Sequence, residues 1–275
     1  MPALSSDALV QVRDVTLQYK TPDHLVTATY KVSCTVEQGD RYVILGPSGC
    51  GKSTLLKAVG GFIRPVAGSI VVNGREVREP GPDRMMVFQE FEQLMPWKTV
   101  LQNVMFPMQA AGKYWKSETR DRALAAIDKV NLTKFKDVYP HMLSGGMKMR
   151  VAIARAMALE PDVLLMDEPF AALDALTRRK MQEELLALWD QLHFTVLFVT
   201  HSIEEAIVVG SRILILSPHP GRVRAELEAG ALSYADVDSP AFGALSKRIH
   251  ALLFEEEPHH APAAGSARHL AAAAS

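Results

Sequence analysis

Arg41-Tyr42-Val43-Ile44-Leu45-Gly46-Pro47-Ser48-Gly49-Cys50-Gly51-Lys52-Ser53-Thr54 decides how this chain is read. Five strand-forming residues run straight into a glycine-rich turn, and the turn opens onto an apolar stretch that suits an amphipathic helix. The spacing of Gly46, four residues and then Gly51-Lys52-Ser53 carries a chemical consequence. Glycines at 46, 49 and 51 let backbone N–H groups curl around phosphates, Lys52 reaches the β and γ oxygens, and the Ser53 hydroxyl can ligate Mg²⁺. The helix start at Lys52-Ser53-Thr54 adds its dipole to the same anion. Pro47, Ser48 and Cys50 complete the loop, and Cys50 reads as a small tolerated residue rather than a redox switch.

Upstream, residues 9–13 alternate as a strand, Val15-Thr16-Leu17-Gln18 leads to Tyr19, and 32–36 reads as a further strand. Downstream, 68–74 is a strand ended by the turn signal Asn73-Gly74, and 84–88 is a short apolar strand. From 100 to 159 the texture turns helical, most clearly over 118–130, where Ala123, Leu124, Ile127 and Val130 supply one stripe. Strands resume at 162–166 and 195–199, separated by a helix after Asp174 with Met181, Leu185, Leu188 and Leu192 on one face. A strand at 223–227 and a helix beginning near Ser239-Pro240 follow. Such alternation predicts an α/β layer structure with a largely parallel sheet. Residues 257–275, rich in Ala, Pro and His, are expected to be a disordered tail, and His259, His260 and His269 read as solvated rather than metal-binding.

The strand Val163-Leu164-Leu165-Met166 delivers two adjacent acids, Asp167 and Glu168. In a nucleoside triphosphatase the first carboxylate can hold Mg²⁺ through water, and the second can polarise the attacking water. An Asp-Glu strand end by itself marks only a solvated terminus; the pairing with the phosphate loop gives it meaning.

Composition excludes more than it selects. The 275 residues carry 30 Lys+Arg against 31 Asp+Glu, a formal charge of -1, so no global basic field grips nucleic acid or an anionic membrane. Two cysteines form no disulfide framework, no signal peptide is read at the start, and a reducing cytosol is expected. No apolar run approaches the ~20 residues that cross a bilayer, so action at a membrane would need a separate spanning partner.

Leu143-Ser144-Gly145-Gly146-Met147 resembles the signature sequence of the ATP-binding cassette (ABC) ATPases, and it opens a helix ending just before the Asp-Glu strand, as in that family. The resemblance spans most of the chain. It implies a P-loop NTPase core of ABC type over residues 8–256, with an N-terminal antiparallel β-subdomain and a helical subdomain inserted at about 92–158. It implies ATP and Mg²⁺ as cofactors, and a homodimer in which ATP on the phosphate loop of one copy is covered by Ser144, Gly145 and Gly146 of the other. Position by position, Tyr19 matches the aromatic residue that stacks on adenine, Gln89 the glutamine that touches Mg²⁺ and water, Glu168 the base and His201 the histidine at the γ-phosphate. Asp174 matches the loop that crosses between cassettes, although a plain helix N-cap explains an aspartate there equally well. Met147 departs from the usual glutamine.

Within the family, Leu94-Met95-Pro96-Trp97, Ser217-Pro218-His219-Pro220-Gly221-Arg222 and the terminal helix resemble the ATPase subunits of nitrate, sulfonate and taurine importers. That implies a peripheral subunit on the cytoplasmic face of the inner membrane. Its partners would be a transmembrane permease, docked near Phe91 to Trp97, and through it a periplasmic solute-binding protein, for import of a small anionic solute. A cassette working on nucleic acid or ribosomes is the alternative. It is opposed by the single cassette and by the absence of a long coiled-coil insertion between Lys52 and Ser144, and no nucleic-acid partner is expected. The methionines at 85, 86, 95, 105, 108, 142 and 149 read mainly as core filling, with an adaptable docking surface as the other reading.

Overall fold

The computed structural model describes residues 8–20, 24–87, 93–112, 114–171, 173–230 and 232–254. Two sheets organise it. The first is antiparallel, in the order β2-β1-β4-β5, from β1 Val10–Lys20, β2 Leu25–Val36, β4 Ala67–Val72 and β5 Arg75–Glu76. The second is six-stranded, in the order β10-β9-β3-β8-β7-β6: β10 Val223–Glu228, β9 Arg212–Leu216, β3 Arg41–Leu45, β8 Thr195–Thr200, β7 Val163–Asp167 and β6 Arg84–Val87. Its strands from β9 to β6 run parallel, and β10 adds an antiparallel edge.

The apolar runs of the parallel strands follow from burial on both faces. Successive side chains of β3 point to opposite sides. Tyr42 and Ile44 join Val10, Val12 and Val36 of the antiparallel sheet and Leu55 and Leu56 of α1 (Lys52–Val59) in one core. Val43 and Leu45 join a second core beneath the helices. That core takes in α2 Val100–Ala111, α3 Lys116–Lys129 and α4 Gly145–Met157, which lie between β6 and β7 and pack on one another. It also holds α5 Ala175–Leu192, α6 Ile203–Val209 and α7 Pro240–Phe254.

The expected α/β organisation with an antiparallel β-subdomain is present. The first strand runs further than its sequence suggests: Asp14 adopts a positive φ of 48°, and β1 continues beyond it, with register shifts against β2. A polar residue in the left-handed region absorbs the irregularity without ending the pairing. On α3, Ala123, Ile127 and Val130 are buried as expected, and Leu124 is half-buried. On α5, Met181, Leu185 and Leu188 are buried.

Candidate active site

The phosphate loop sits where β3 feeds α1, at the carboxyl end of the parallel sheet, the edge at which open α/β folds place their ligands. Gly51 ends it with φ of 92°, and a Cβ there would lie 2.6 Å from the Ala28 carbonyl oxygen, so only glycine fits. No side chain caps α1, which leaves its first N–H groups directed at an anion. The loop is braced from behind by Gly221: a Cβ on Gly221 would stand 2.1 Å from the Cys50 carbonyl oxygen, and its N–H donates to the Ala28 carbonyl at 2.9 Å. Cys50 itself is buried, and burial pushes its thiol above the ordinary range. That supports the packing reading over a redox one.

Lys52 is 5% exposed, and its Nζ donates to the Gly46 carbonyl at 2.9 Å and to the Pro47 carbonyl at 3.1 Å. The nearest carboxylate oxygen, Glu168 Oε1, is 4.0 Å away. A buried ammonium held by two neutral carbonyls and one distant anion is matched to phosphate oxygens. The Ser53 hydroxyl donates to Asp167 Oδ1 at 2.7 Å. Burial pushes the Asp167 carboxyl up, and that hydroxyl pulls it back. A half-buried carboxylate short of compensation beside a hydroxyl suits a hard divalent cation that takes its other ligands from phosphate and water. Among the described residues there is no cluster of three or more His, Cys, Asp or Glu that would hold a metal without such help.

Glu168 adopts a φ of 45°, a conformation that costs a non-glycine residue about 1–3 kcal/mol and gathers at functional sites. Its N–H donates to the Val199 carbonyl at 3.0 Å, which locks the acid to the end of β8. There its Oε2 lies 2.9 Å from His201 Nδ1. Lys52, Ser53, Asp167, Glu168 and His201 thus converge from three adjacent parallel strands and can bind a triphosphate, hold a cation and take up a proton.

The other predicted residues lie around this centre. Tyr19, 48% exposed on β1 opposite Val26, presents its ring to solvent. Ser144 caps α4 by accepting from the Met147 N–H at 3.3 Å, and it is exposed. Gly146 is buried against Met181, its Cβ position 3.3 Å from the sulfur. Asp174 caps α5 by accepting from the Thr177 N–H at 3.0 Å, and the Thr177 bonds hold its carboxyl below the ordinary range. Its capping geometry is therefore real, whatever else it does. Gln89, Phe91 and the tail lie outside the described residues.

Three polar arrangements carry no clear sequence signal. Glu205 is buried and accepts from Thr200 and from Gln182. Arg178 donates to the Phe170 and Leu173 carbonyls at 3.3 and 3.0 Å, which fixes the turn after Glu168. Asn103, fully buried, ties residues 95–99 to α2. That loop carries Trp97, which is 72% exposed and so not core. Met95 of the same loop lines a groove of about 460 Å³ that runs between sheet and helices, with Phe62, Met85, Met86, Phe106 and Pro107 among its other walls. Most of the methionines are core, as expected: Met86, Met108 and Met149 are buried, Met85 and Met105 pack partly buried against the core, and Met142 is exposed, while Met85, Met86 and Met95 also line the groove.

No helix among the described residues is long and apolar enough to cross a membrane. The family model described as ABC transporter matches residues 30–171. The chain is 45% identical over 240 residues to a taurine import ATP-binding protein of Rhizobium johnstonii, covering 84% of this chain and 91% of that one. It is 42% identical over 210 residues to a nitrate import ATP-binding protein of Synechococcus elongatus, covering 76% of each. A solved dimeric structure of an ATP-binding cassette in a post-hydrolysis state, bound to ADP and Pi, superposes with a TM-score of 0.67 at 32% identity, covering 81% of this chain and all of that one. With the phosphate loop, acid pair and histidine assembled as described, the chain belongs to the ABC transporter family, as one of its ATP-hydrolysing cassettes.

Proposed function

We propose that this chain powers an importer for a small anionic solute of the nitrate, sulfonate or taurine kind, as a homodimer under a separate permease at the cytoplasmic face of the inner membrane. The observation that carries the catalytic half is the 2.9 Å contact between His201 and Glu168 beside the buried Lys52. Residues 8–256 form the ATPase domain, with the helical part at about 92–158. In it Lys52 and the loop amides bind the β- and γ-phosphates, and Tyr19 stacks on adenine. Glu168 accepts the proton of the attacking water, and His201 orients Glu168 and donates to the γ-phosphate. Ser53, Asp167 and Gln89 would hold Mg²⁺, which when bound neutralises charge on the phosphates. The exposed Ser144 and the N–H groups of Gly145 and Gly146 close the partner copy's ATP, with Asp174 at the crossing between copies.

The exposed Trp97 and the apolar groove lined by Met95 of the same loop support permease docking. An exposed indole on a loop that also walls an apolar cleft suits an inserted amphipathic helix. The taurine and nitrate relatives are nearly equal in identity, so the solute class, and a periplasmic binding protein that presents it, come from that likeness alone. The test is reconstitution with the permease and a solute-binding protein in liposomes. Trp97→Glu should abolish ATP-driven uptake and co-purification while nucleotide affinity stays within about twofold, since a rim-to-core indole is worth over ~2 kcal/mol. Uptake at the parental rate would overturn the docking assignment, and no uptake of any such anion by the parental complex would overturn the solute class.

A further inference from the structure

Behind the Glu168–His201 contact lies a buried polar chain that the reaction scheme leaves unused. Glu205, in the first turn of α6, is 8% exposed. One carboxylate oxygen accepts the Thr200 hydroxyl, and the other accepts Gln182 Nε2 at 2.5 Å. The Gln182 carbonyl oxygen in turn accepts the Tyr234 hydroxyl, from the segment after β10. The Thr200 oxygen also accepts the Ser202 N–H at 3.0 Å, and the Ser202 hydroxyl accepts the Glu205 N–H at 3.3 Å. Of the two neighbours of His201, Thr200 is therefore tied directly to this carboxylate, and Ser202 is tied to it through the Thr200 oxygen and to the Glu205 backbone N–H. Burial pushes the Glu205 carboxyl up, while its two hydrogen bonds and the charge of Arg178 pull it back. A cavity of about 50 Å³ separates it from Glu168 and is lined by both acids, Thr200 and His201, so Glu205 backs the site without reaching the reacting atoms.

A buried carboxylate with every oxygen engaged is expensive to keep unless it fixes something. A imidazole that must meet both a carboxylate and a phosphate needs a fixed backbone, because an exposed ring on a strand end otherwise samples several rotamers. We infer that Glu205 is a positioning residue for His201, holding Thr200 and Ser202 so that the imidazole stays on Glu168, and that Gln182 links this setting to α5, the helix capped by Asp174. The inference rests on His201 acting at the γ-phosphate.

The test is steady-state ATP hydrolysis by the full chain, with thermal midpoints measured on the same samples. Glu205→Ala should lower kcat by about 10- to 100-fold with KM for ATP nearly unchanged, since misplacing a reacting group by about 1 Å costs that much. Glu205→Gln should recover most of the loss. Its amide can accept from Thr200 and donate to the Gln182 oxygen, with Gln182 turned toward the Tyr234 oxygen. In a His201→Ala background, Glu205→Ala should cost nothing further, because the two act as a unit. An equal further loss in that background, or equal losses for the Ala and Gln variants, would leave Glu205 a packing residue and overturn the proposal. If His201→Ala alone retained the parental kcat, the role of His201 would fall and the positioning role with it, an outcome distinct from the first.

Discussion

Asn103 offers the sharpest test of how the loop that carries Trp97 is held. Its side-chain oxygen accepts the Met95 N–H at 2.9 Å, and its amide hydrogens are shared among the carbonyls of Met95, Lys98 and Thr99 at 3.1, 2.9 and 3.1 Å. Two of those carbonyls have second donors: Met95 O accepts the Lys98 N–H, and Thr99 O accepts the Asn103 N–H. Truncation by Asn103→Ala therefore strands the Met95 N–H and the Lys98 carbonyl, at about 1–3 kcal/mol each before water relieves part of it. A net loss of about 3 kcal/mol lowers the melting midpoint by about 6–12 °C for a chain of this size. Asn103→Asp keeps the acceptor for Met95 but sets a buried carboxylate against three carbonyls, so at pH 8 it should cost at least as much as alanine. Its folded-state pKa would be raised above the unfolded value, so its penalty is absent well below that value and grows as pH rises through the folded one. Differential scanning from pH 5 to 8 reads both variants. A midpoint within about 2 °C of the parent for Asn103→Ala would refute the reasoning, because the smallest cost above already exceeds that shift.

Ser53→Ala removes the hydroxyl that donates to Asp167. Hydrolysis with Mg²⁺ should fall at least about tenfold while ATP binding in chelator stays within about twofold, and unchanged Mg²⁺ dependence would exclude Ser53 from the cation site. Cys34 and Cys50 are both buried, and burial pushes Cys34 up to about 12. Native protein at pH 8 should therefore react with no equivalents of a thiol reagent, and denatured protein with two per chain. Because the folded thiol sits above its ordinary 9.0, the stability it confers is complete below that pH and is lost as pH climbs toward 12.

Much of the active site is legible in the sequence because its signals are local. A parallel strand buried on both faces must be an unbroken apolar run, so Arg41–Leu45 and Val163–Asp167 announce themselves, and the residues just past their ends are delivered to one edge of the sheet. Capping residues are as plain: Ser144, Asp174 and Ser202 each precede a helix and accept from an N–H three residues on. What the sequence leaves open is the height and tilt of the side chains at that edge. The left-handed turn at Glu168 has no glycine to mark it; it is held by the pairing of its N–H with the distant Val199 carbonyl and of its own carbonyl with the Ala171 N–H.

The polar knots are hidden for a different reason. Arg155, near the end of α4, donates to the Gln93 carbonyl at 2.6 Å, and Glu205 meets Gln182 across another pair of helices. On its own helix each reads as something ordinary: a basic residue in the last turn of α4, an acid in the first turn of α6, both favoured by the helix dipole. Their charge predicts exposure, yet burial pushes the Arg155 guanidinium down and the Glu205 carboxyl up. Such groups stay buried because partners distant in sequence satisfy them, and that pairing is a property of the packed fold that no periodicity encodes.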